Sequence, residues 1–377
     1  MVFRVFFLVL VGTFWLISCS SNLPLTQEED LVTKFDLGNE QLAKYKTVQN
    51  IESTKSESVG SKTDVNLDKN KKMEVPDQPP MDSTSEQISA MNTNDKQEDQ
   101  SEPDEELTDG PPEKIIIPEG YPDTYVEYDN RFKEMWNSFK PILFVGEEFT
   151  MSIKYLGLTA GTAQITTLEP VIMGEQKVWH IKAKLKSADY YKYIYQLDDS
   201  IESYISTESF LPLKYQLIQK ESAQEIDDLQ LFDADKLKTF FWYRRLKKGT
   251  LNKQEQSNHI PKYVQDSFSA LYFARGLPLV KGVVYEYPVV TRAKIWLIKL
   301  EVVAREELIF KKSKIMALKI KAETRFPGIL KKKGDINFWI SDDKKRLFLK
   351  FNAKVKIGSI SGELLDYKDP SENDLKH

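Results

Sequence analysis

The side chains able to do chemistry are few. The 377-residue chain has three histidines, His180, His259 and His377, and one cysteine, Cys19. A single cysteine excludes a disulfide within the chain and any multi-cysteine metal site. Three widely spaced histidines leave little for a zinc centre. A histidine acting as general base needs a partner and a pocket. No Gly-x-Ser-x-Gly pattern offers a nucleophile. Acidic pairs stand at Asp198-Asp199, Asp227-Asp228 and Asp342-Asp343. Paired carboxylates hydrolyse glycosides only at a defined separation in a cleft. Each pair here falls near an expected turn, where solvated aspartates are common. Asp227, Asp228, Asp233 and Asp235 lack the alternate spacing and glycine of an EF-hand loop. No metal or cofactor is expected, and no reaction is assigned.

Basic clusters recur at Arg244, Arg245, Lys247 and Lys248, at Lys311, Lys312 and Lys314, at Lys331, Lys332 and Lys333, and at Lys344, Lys345 and Arg346. They can meet anionic lipid head groups, phosphates or acidic glycans. Lysines on sheet edges also serve only to keep the edge soluble. Aromatics cluster at Tyr190, Tyr191, Tyr193 and Tyr195, and at Phe240, Phe241, Trp242 and Tyr243. Tyr191, Tyr193 and Tyr195 would share one face of a strand. With Trp242 they are candidates to line an acyl groove or stack on sugar rings, or they are core.

The first eighteen residues read as an export signal. Arg4 is the only charge before an apolar run from Val5 to Ile17. Thirteen helical residues span roughly 20 Å, short of the ~30 Å of a bilayer core. The run is therefore a signal h-region, not a transmembrane helix. It ends in Leu16-Ile17-Ser18-Cys19, which resembles the bacterial lipobox. That resemblance implies diacylation of Cys19, cleavage before it and acylation of the new amino terminus, which together anchor a protein stably. Ser20 and Ser21 replace the aspartate that retains lipoproteins in the inner membrane of enteric bacteria. The resemblance thus points to the outer membrane, with the domain facing the periplasm or displayed at the surface.

An acidic tether follows over 19–120. Residues 20–120 carry 23 acidic against 10 basic side chains and two aromatics, Phe35 and Tyr45. Such a composition cannot bury enough surface to offset its chain entropy, so the segment is expected to be disordered. Thr26-Gln27-Glu28-Glu29 reads as a capping box before a short helix, transient or partner-docking.

Residues 121–368 are expected to fold as one β-rich domain before a polar tail, 369–377. From 121 onward the chain carries 42 basic and 34 acidic residues, opposite in sign to the tether. Tyr125, Tyr128, Phe132, Met135, Trp136 and Phe139 predict a helix over 124–139, stopped at Pro141. The period then becomes two. Phe149, Met151, Ile153 and Tyr155 alternate with polar residues, as do Trp179 to Leu185, Met316 to Ala322 and Leu347 to Ile357. This predicts ten to thirteen antiparallel strands with one buried and one wet, lysine-rich face. Asp266 can cap a second helix over 266–275 that ends at Gly276.

Three ordered motifs carry a resemblance. Gly146-Glu147 precedes a strand, Tyr155-Leu156-Gly157 and Ala160-Gly161. The segment Gln265 to Arg275 includes Asp266, Tyr272 and Arg275. Trp339, Asp342 and Arg346 precede Gly358 and Gly362-Glu363-Leu364. Together they resemble the bacterial domain-of-unknown-function family 3108, a set of exported β-rich proteins, over about 141–367. The long acidic tether is not a feature of that family. The resemblance implies a fold and no activity. On physical grounds Gly157, Gly161 and Gly358 allow turns or bends, Asp266 caps its helix, and Arg275 pairs with a carboxylate across the helix–sheet junction.

The expected fold is mainly β: a single antiparallel, strongly curved sheet or incomplete barrel with one preceding and one inserted helix. The expected function is non-enzymatic: an envelope lipoprotein binding an apolar or anionic ligand such as lipid. The alternative is an interaction protein docking a protein or glycan through its basic surface, with no cavity. Nucleic acid is not an expected partner. A hydrolase would need two carboxylates, or a histidine and a carboxylate, converging in a cleft.

Overall fold

The structure is a computed structural model that describes residues 43–48, 117–325, 335–355 and 358–370. Cys19, the leader, the capping box and most of the expected tether lie outside these residues, as do Lys331, Lys332 and Lys333. Two α-helices are described, α1 (Asp123–Ser138) and α2 (Ser269–Gly276). The first matches the helical spacing over 124–139; the second begins three residues later than the expected 266–275, because Asp266 pairs in a short strand.

Among the described residues, sixteen strands make one sheet. The first are β1 (Thr47–Val48), β2 (Glu148–Tyr155), β3 (Leu158–Met173), β4 (Gln176–Ser187) and β5 (Asp198–Ser206). Next come β6 (Pro212–Glu221), β7 (Gln224–Asp233), β8 (Lys238–Lys247), β9 (Thr250–His259) and β10 (Gln265–Asp266). The last are β11 (Val284–Thr291), β12 (Lys294–Phe310), β13 (Ser313–Arg325), β14 (Asp335–Ser341), β15 (Phe348–Lys354) and β16 (Ser359–Lys368). The order runs from β10 through β11 to β16, then β2 to β9, with β1 added beside β3. Every pairing is antiparallel except the two-residue pairing of β10 with β11. The sixteen strands exceed the expected ten to thirteen, and two of them, β1 and β10, are two-residue pairings. In β7 eight consecutive residues are buried, and in β9 nearly all are exposed, so neither shows a period of two.

The ladder does not close, and its edges are β9 and β10. Those edges are consecutive in the chain, joined by residues 260–264 alone. Side chains link the two ends of the sheet. Arg292, in the β11–β12 turn, pairs with Asp228 of β7 at 2.9 Å. Asn258 of β9 donates to the Ala293 carbonyl at 2.8 Å. Ser203 of β5 donates to Asp266 of β10 at 2.5 Å.

The alternating residues face one continuous core. Phe149, Ile181, Ile201, Ile320 and Ile340 are almost fully buried in it. Both helices pack on that core. Trp136 of α1 stacks at 4.5 Å on Phe273 of α2, and Phe139 lies 4.5 Å from Phe273 and 4.6 Å from Phe210. The helices meet where Lys140 N–H donates to the Gly276 carbonyl at 3.0 Å. A Cβ on Gly276 would sit 2.3 Å from the Lys140 carbonyl oxygen, so only glycine permits this approach.

Residues 43–48, within the expected tether, are docked on the sheet. β1 pairs with the end of β3 through Thr47–Met173 and Val48–Ile172. Lys44 pairs with buried Asp233 at 2.9 Å. The Tyr45 hydroxyl donates to the Phe232 carbonyl at 3.1 Å. Its ring is buried with Leu229, Leu231, Phe240 and Trp242. At the other end, Lys345 pairs with Asp369, so the described fold continues past 368.

Candidate functional site

The three sequence motifs meet at one side chain. Arg275, at the end of α2, is fully buried. It forms two parallel bonds to Glu147, at 2.6 and 2.8 Å. It also donates to the Lys345 carbonyl at 2.6 Å and the Arg346 carbonyl at 3.1 Å. Phe149, Phe348, Phe144 and Tyr272 surround the guanidinium, with centroids 5.3 to 5.8 Å away. Thr167 donates to Glu147 at 3.1 Å and meets the Tyr272 hydroxyl at 3.3 Å. Gly146 turns the chain into β2 with its N–H on the Thr167 carbonyl. The expected carboxylate partner of Arg275 is therefore Glu147, which the sequence marked only as a motif letter. A planar guanidinium with every donor aimed inward is a fastening, with no open face for a substrate.

The other end of α2 is fixed as well. Asp266 is buried and accepts from the Phe268 and Ser269 amides at 2.6 and 2.8 Å. Held at both ends, α2 turns Ala270, Leu271 and Ala274 towards a cavity of about 110 Å³. Met151, Ile165, Val289, Ile298, Leu300, Ala322, Ile336, Phe338 and Phe348 form most of its wall. Ser267, Tyr287 and Lys350 are polar members; the Tyr287 hydroxyl donates to the Ala270 carbonyl, and Lys350 is 36% exposed. Trp339 also lines it. Lys319 and Lys350 lie 5.2 and 5.4 Å from the Trp339 ring, and its indole N–H donates to Glu306. A pocket of this size and lining suits a small apolar group.

Other expected sites fall elsewhere. Tyr191 and Tyr193 lie in a short 3-10 helix, not a strand. The Tyr191 amide and the Ile194 and Tyr195 amides close i+3 and i+4 turns that override the alternation. Tyr191 and Tyr195 line a recess of about 20 Å³ with Ile153, Gly161 and Leu185, while Tyr193 projects into solvent. Trp242 is buried beneath Tyr45 and is unavailable to a ligand. Arg244 is also buried, its guanidinium 4.8 Å from the Trp242 ring, so it is not an open anion contact. Arg245 and Lys247 are half-buried and Lys248 is exposed. Gly157 and Gly358 have left-handed backbones, and Gly362 lies under the Phe351 ring. Asp342 pairs with Arg305 at 2.5 Å and Arg346 at 3.8 Å at its turn.

Two of the acidic pairs are not solvated turn residues. Asp227 and Asp228 are buried in mid-strand, where Gln216 and Arg292 partner them. Asp199 is buried beside Glu221, and Gln219 bridges them with bonds of 3.0 and 3.1 Å. Tyr195 donates to Glu221 at 2.6 Å. Burial, then the Asp199 carboxylate, pushes Glu221 up to about 8, and burial pushes Asp199 up to about 6. On the outer face His180 meets Glu202 at 2.9 Å, and bonds from His180 and Lys182 hold Glu202 at about 2. Neither carboxylate arrangement lines the apolar cavity.

Arg275→Ala leaves Glu147 charged, buried and unpaired, so urea unfolding should show a loss of about 3–5 kcal/mol. A carboxyl raised in the folded state holds a proton that the unfolded chain releases. The Asp199–Glu221 contribution is thus fully present below about pH 4 and lost as pH rises through 6 to 8. Glu221→Gln removes that loss, and should exceed the parent by about 1–2 kcal/mol at pH 8.5 while matching it near pH 5. Parallel pH profiles of the two proteins would refute the assignment.

No curated protein matches the chain. Three solved structures are similar over nearly their whole length. A β-barrel-like protein of domain of unknown function DUF1849 from Brucella abortus is 9% identical, with 59% of this chain and 97% of that chain covered, at a TM-score of 0.39. A protein described as a lipoprotein, from Parabacteroides distasonis, is 9% identical over 61% of this chain and 99% of its own, at 0.28. A protein described as exported, with a YmcC-like fold, from Bacteroides fragilis, is 10% identical over 62% and 100%, at 0.29. The family described as protein of unknown function DUF3108 matches residues 148–365, from β2 almost to the end of β16. That is more than half of the sequence and includes both Arg275 and the cavity wall, so the chain belongs to the DUF3108 family.

Proposed function

We propose that the protein is a lipid-anchored protein of the bacterial envelope, attached to the outer membrane through Cys19, whose β domain holds an apolar ligand non-enzymatically. The observation that carries this reading is the cavity beneath α2, walled by aliphatic and aromatic side chains and fixed open by the Arg275 and Asp266 fastenings. Side-chain links between the ends of the sheet support its description as a strongly curved, incomplete barrel, a form that encloses ligands in its interior. Lysine at the wall suits a ligand with an anionic head and an apolar body. An acyl chain or a comparable lipid segment has that character. The leader and the Leu16-Ile17-Ser18-Cys19 sequence support the anchor.

The basic clusters support the docking alternative less well. Arg244 is buried, and Lys311, Lys314 and Lys345 are each paired with a carboxylate. A hydrolase finds no support in the cavity, whose wall carries no carboxylate, histidine or cysteine.

Two measurements test the reading. Native mass spectrometry of protein purified from envelopes should show a bound lipid, and Ala270→Phe, which fills the cavity from α2, should remove it with Tm within a few degrees of the parent. A parent that carries no lipid refutes the ligand. Metabolic labelling with an alkyne fatty acid should mark the protein and be abolished in Cys19→Ala. Equal labelling in both proteins refutes the anchor.

A further inference from the structure

Five large apolar side chains stand exposed together at one end of the sheet. The β2–β3 hairpin tip presents Leu156, 59% exposed, and Leu158, 67% exposed. The neighbouring 3-10 segment presents Tyr190, Tyr193 and Ile194, 60%, 82% and 55% exposed. The Tyr190 hydroxyl donates to the Thr159 carbonyl, which joins the two turns into one rim. Burying such side chains is favourable by roughly 1.5–3 kcal/mol each, so a folded chain does not leave five of them together in water without a use.

The backbone at the tip strengthens this argument. Leu156 and Gly157 both have positive φ, 51° and 84°. A two-residue hairpin of this kind favours Asn-Gly, because a branched side chain is strained there. Leucine is therefore accommodated at a local cost, and Leu156 gains only partial cover, from Gly358. Strain of this kind persists where it serves a function.

The chemistry of the rim selects its occupant. The apolar groups project from two neighbouring turns and stand highly exposed. Tyrosines have an apolar ring and a polar tip, which suits the boundary between lipid and water. Lys186 is exposed beside them, and a lysine in such a position meets anionic head groups; Lys192 is exposed too but pairs with Asp189 at 3.5 Å.

Behind the rim, alternate residues of β2 line two separate spaces. Ile153, two residues back from Tyr155, lines the small recess with Tyr191 and Tyr195. Met151, two residues further, lines the larger cavity. We propose that this rim inserts shallowly into a bilayer surface and is the place where the ligand leaves the membrane for the interior. The second half of this proposal rests on the ligand-binding reading above; the first half does not.

The test uses the unacylated chain, residues 20–377, so that no lipid anchor contributes. Its partition is measured by sedimentation with vesicles of phosphatidylethanolamine containing a minor fraction of phosphatidylglycerol. The parent should bind, and Leu156→Asn combined with Leu158→Ser and Tyr193→Ser should weaken binding by about tenfold or more. Leu156→Asn alone should lower partition while raising Tm, because asparagine fits the turn. A folding defect cannot produce those opposite signs. Equal partition of parent and triple variant overturns the proposal. So does parent binding that salt abolishes with no dependence on the three side chains. A parent dimer that the triple variant loses also overturns it, by making a second copy the occupant. Bound lipid is measured on the same samples. Partition through the rim with no bound lipid overturns the route inward and the ligand reading together, and upholds the membrane contact.

Discussion

The architecture hangs on a buried ion pair. Arg275 and Glu147 are both at zero exposure, and they join the end of a helix to the start of the strand that bridges the two runs of the sheet. Taking two charges out of water costs several kcal/mol per ion, and only near-complete hydrogen bonding offsets it. Here the offset is present: two bonds between the partners, carbonyls from the β14–β15 turn, a threonine, and four aromatic faces. A pair of apolar residues could hold α2 as firmly. What the charged pair adds is direction, because the guanidinium fork accepts its carboxylate in one geometry. The helix is thereby fixed in rotation, and its small residues, Ala270 and Ala274, face the interior.

That rotation explains why there is space under the helix. A bulky face turned inward would fill the sheet, as Phe273 does on the side facing α1. Alanines leave room, and the surrounding strands contribute aliphatic side chains that cannot collapse onto a helix pinned at both ends. The cavity is thus a consequence of rigid anchoring and small residues acting together. The helix–helix contact at Gly276 depends on the same principle of close approach without a side chain.

Much of this arrangement was legible in the amino-acid order. Both helices follow from spacing, and strands with one wet face follow from alternation. The cap by Asp266 and the need of Arg275 for a carboxylate also follow from residue type and position. The rest was hidden for identifiable reasons. Glu147 looks like any acidic residue at a strand start until the fold brings Arg275 to it across 128 positions. The tyrosines at 191, 193 and 195 alternate like a strand, yet short-range backbone bonds at Ala188 and Tyr191 wind them into a turn. Asp199 and Asp228 resemble turn aspartates, but glutamine and arginine partners allow them to be buried. Tyr45 is an isolated aromatic in an acidic stretch, and nothing local marks its socket.

That socket changes the arithmetic of reach. Chain length alone bounds the distance between Cys19 and the folded domain at roughly 3.5 Å per residue. Measured to the start of α1, the leash would extend to about 350 Å. Measured to Ala43, where the docked segment begins, it extends to about 85 Å. The sheet is thus met twice along the chain, first by residues 43–48 and again from β2 onward. A single tyrosine in a pocket thus marks the first point, counted from the amino terminus, at which the described chain is tied to the sheet.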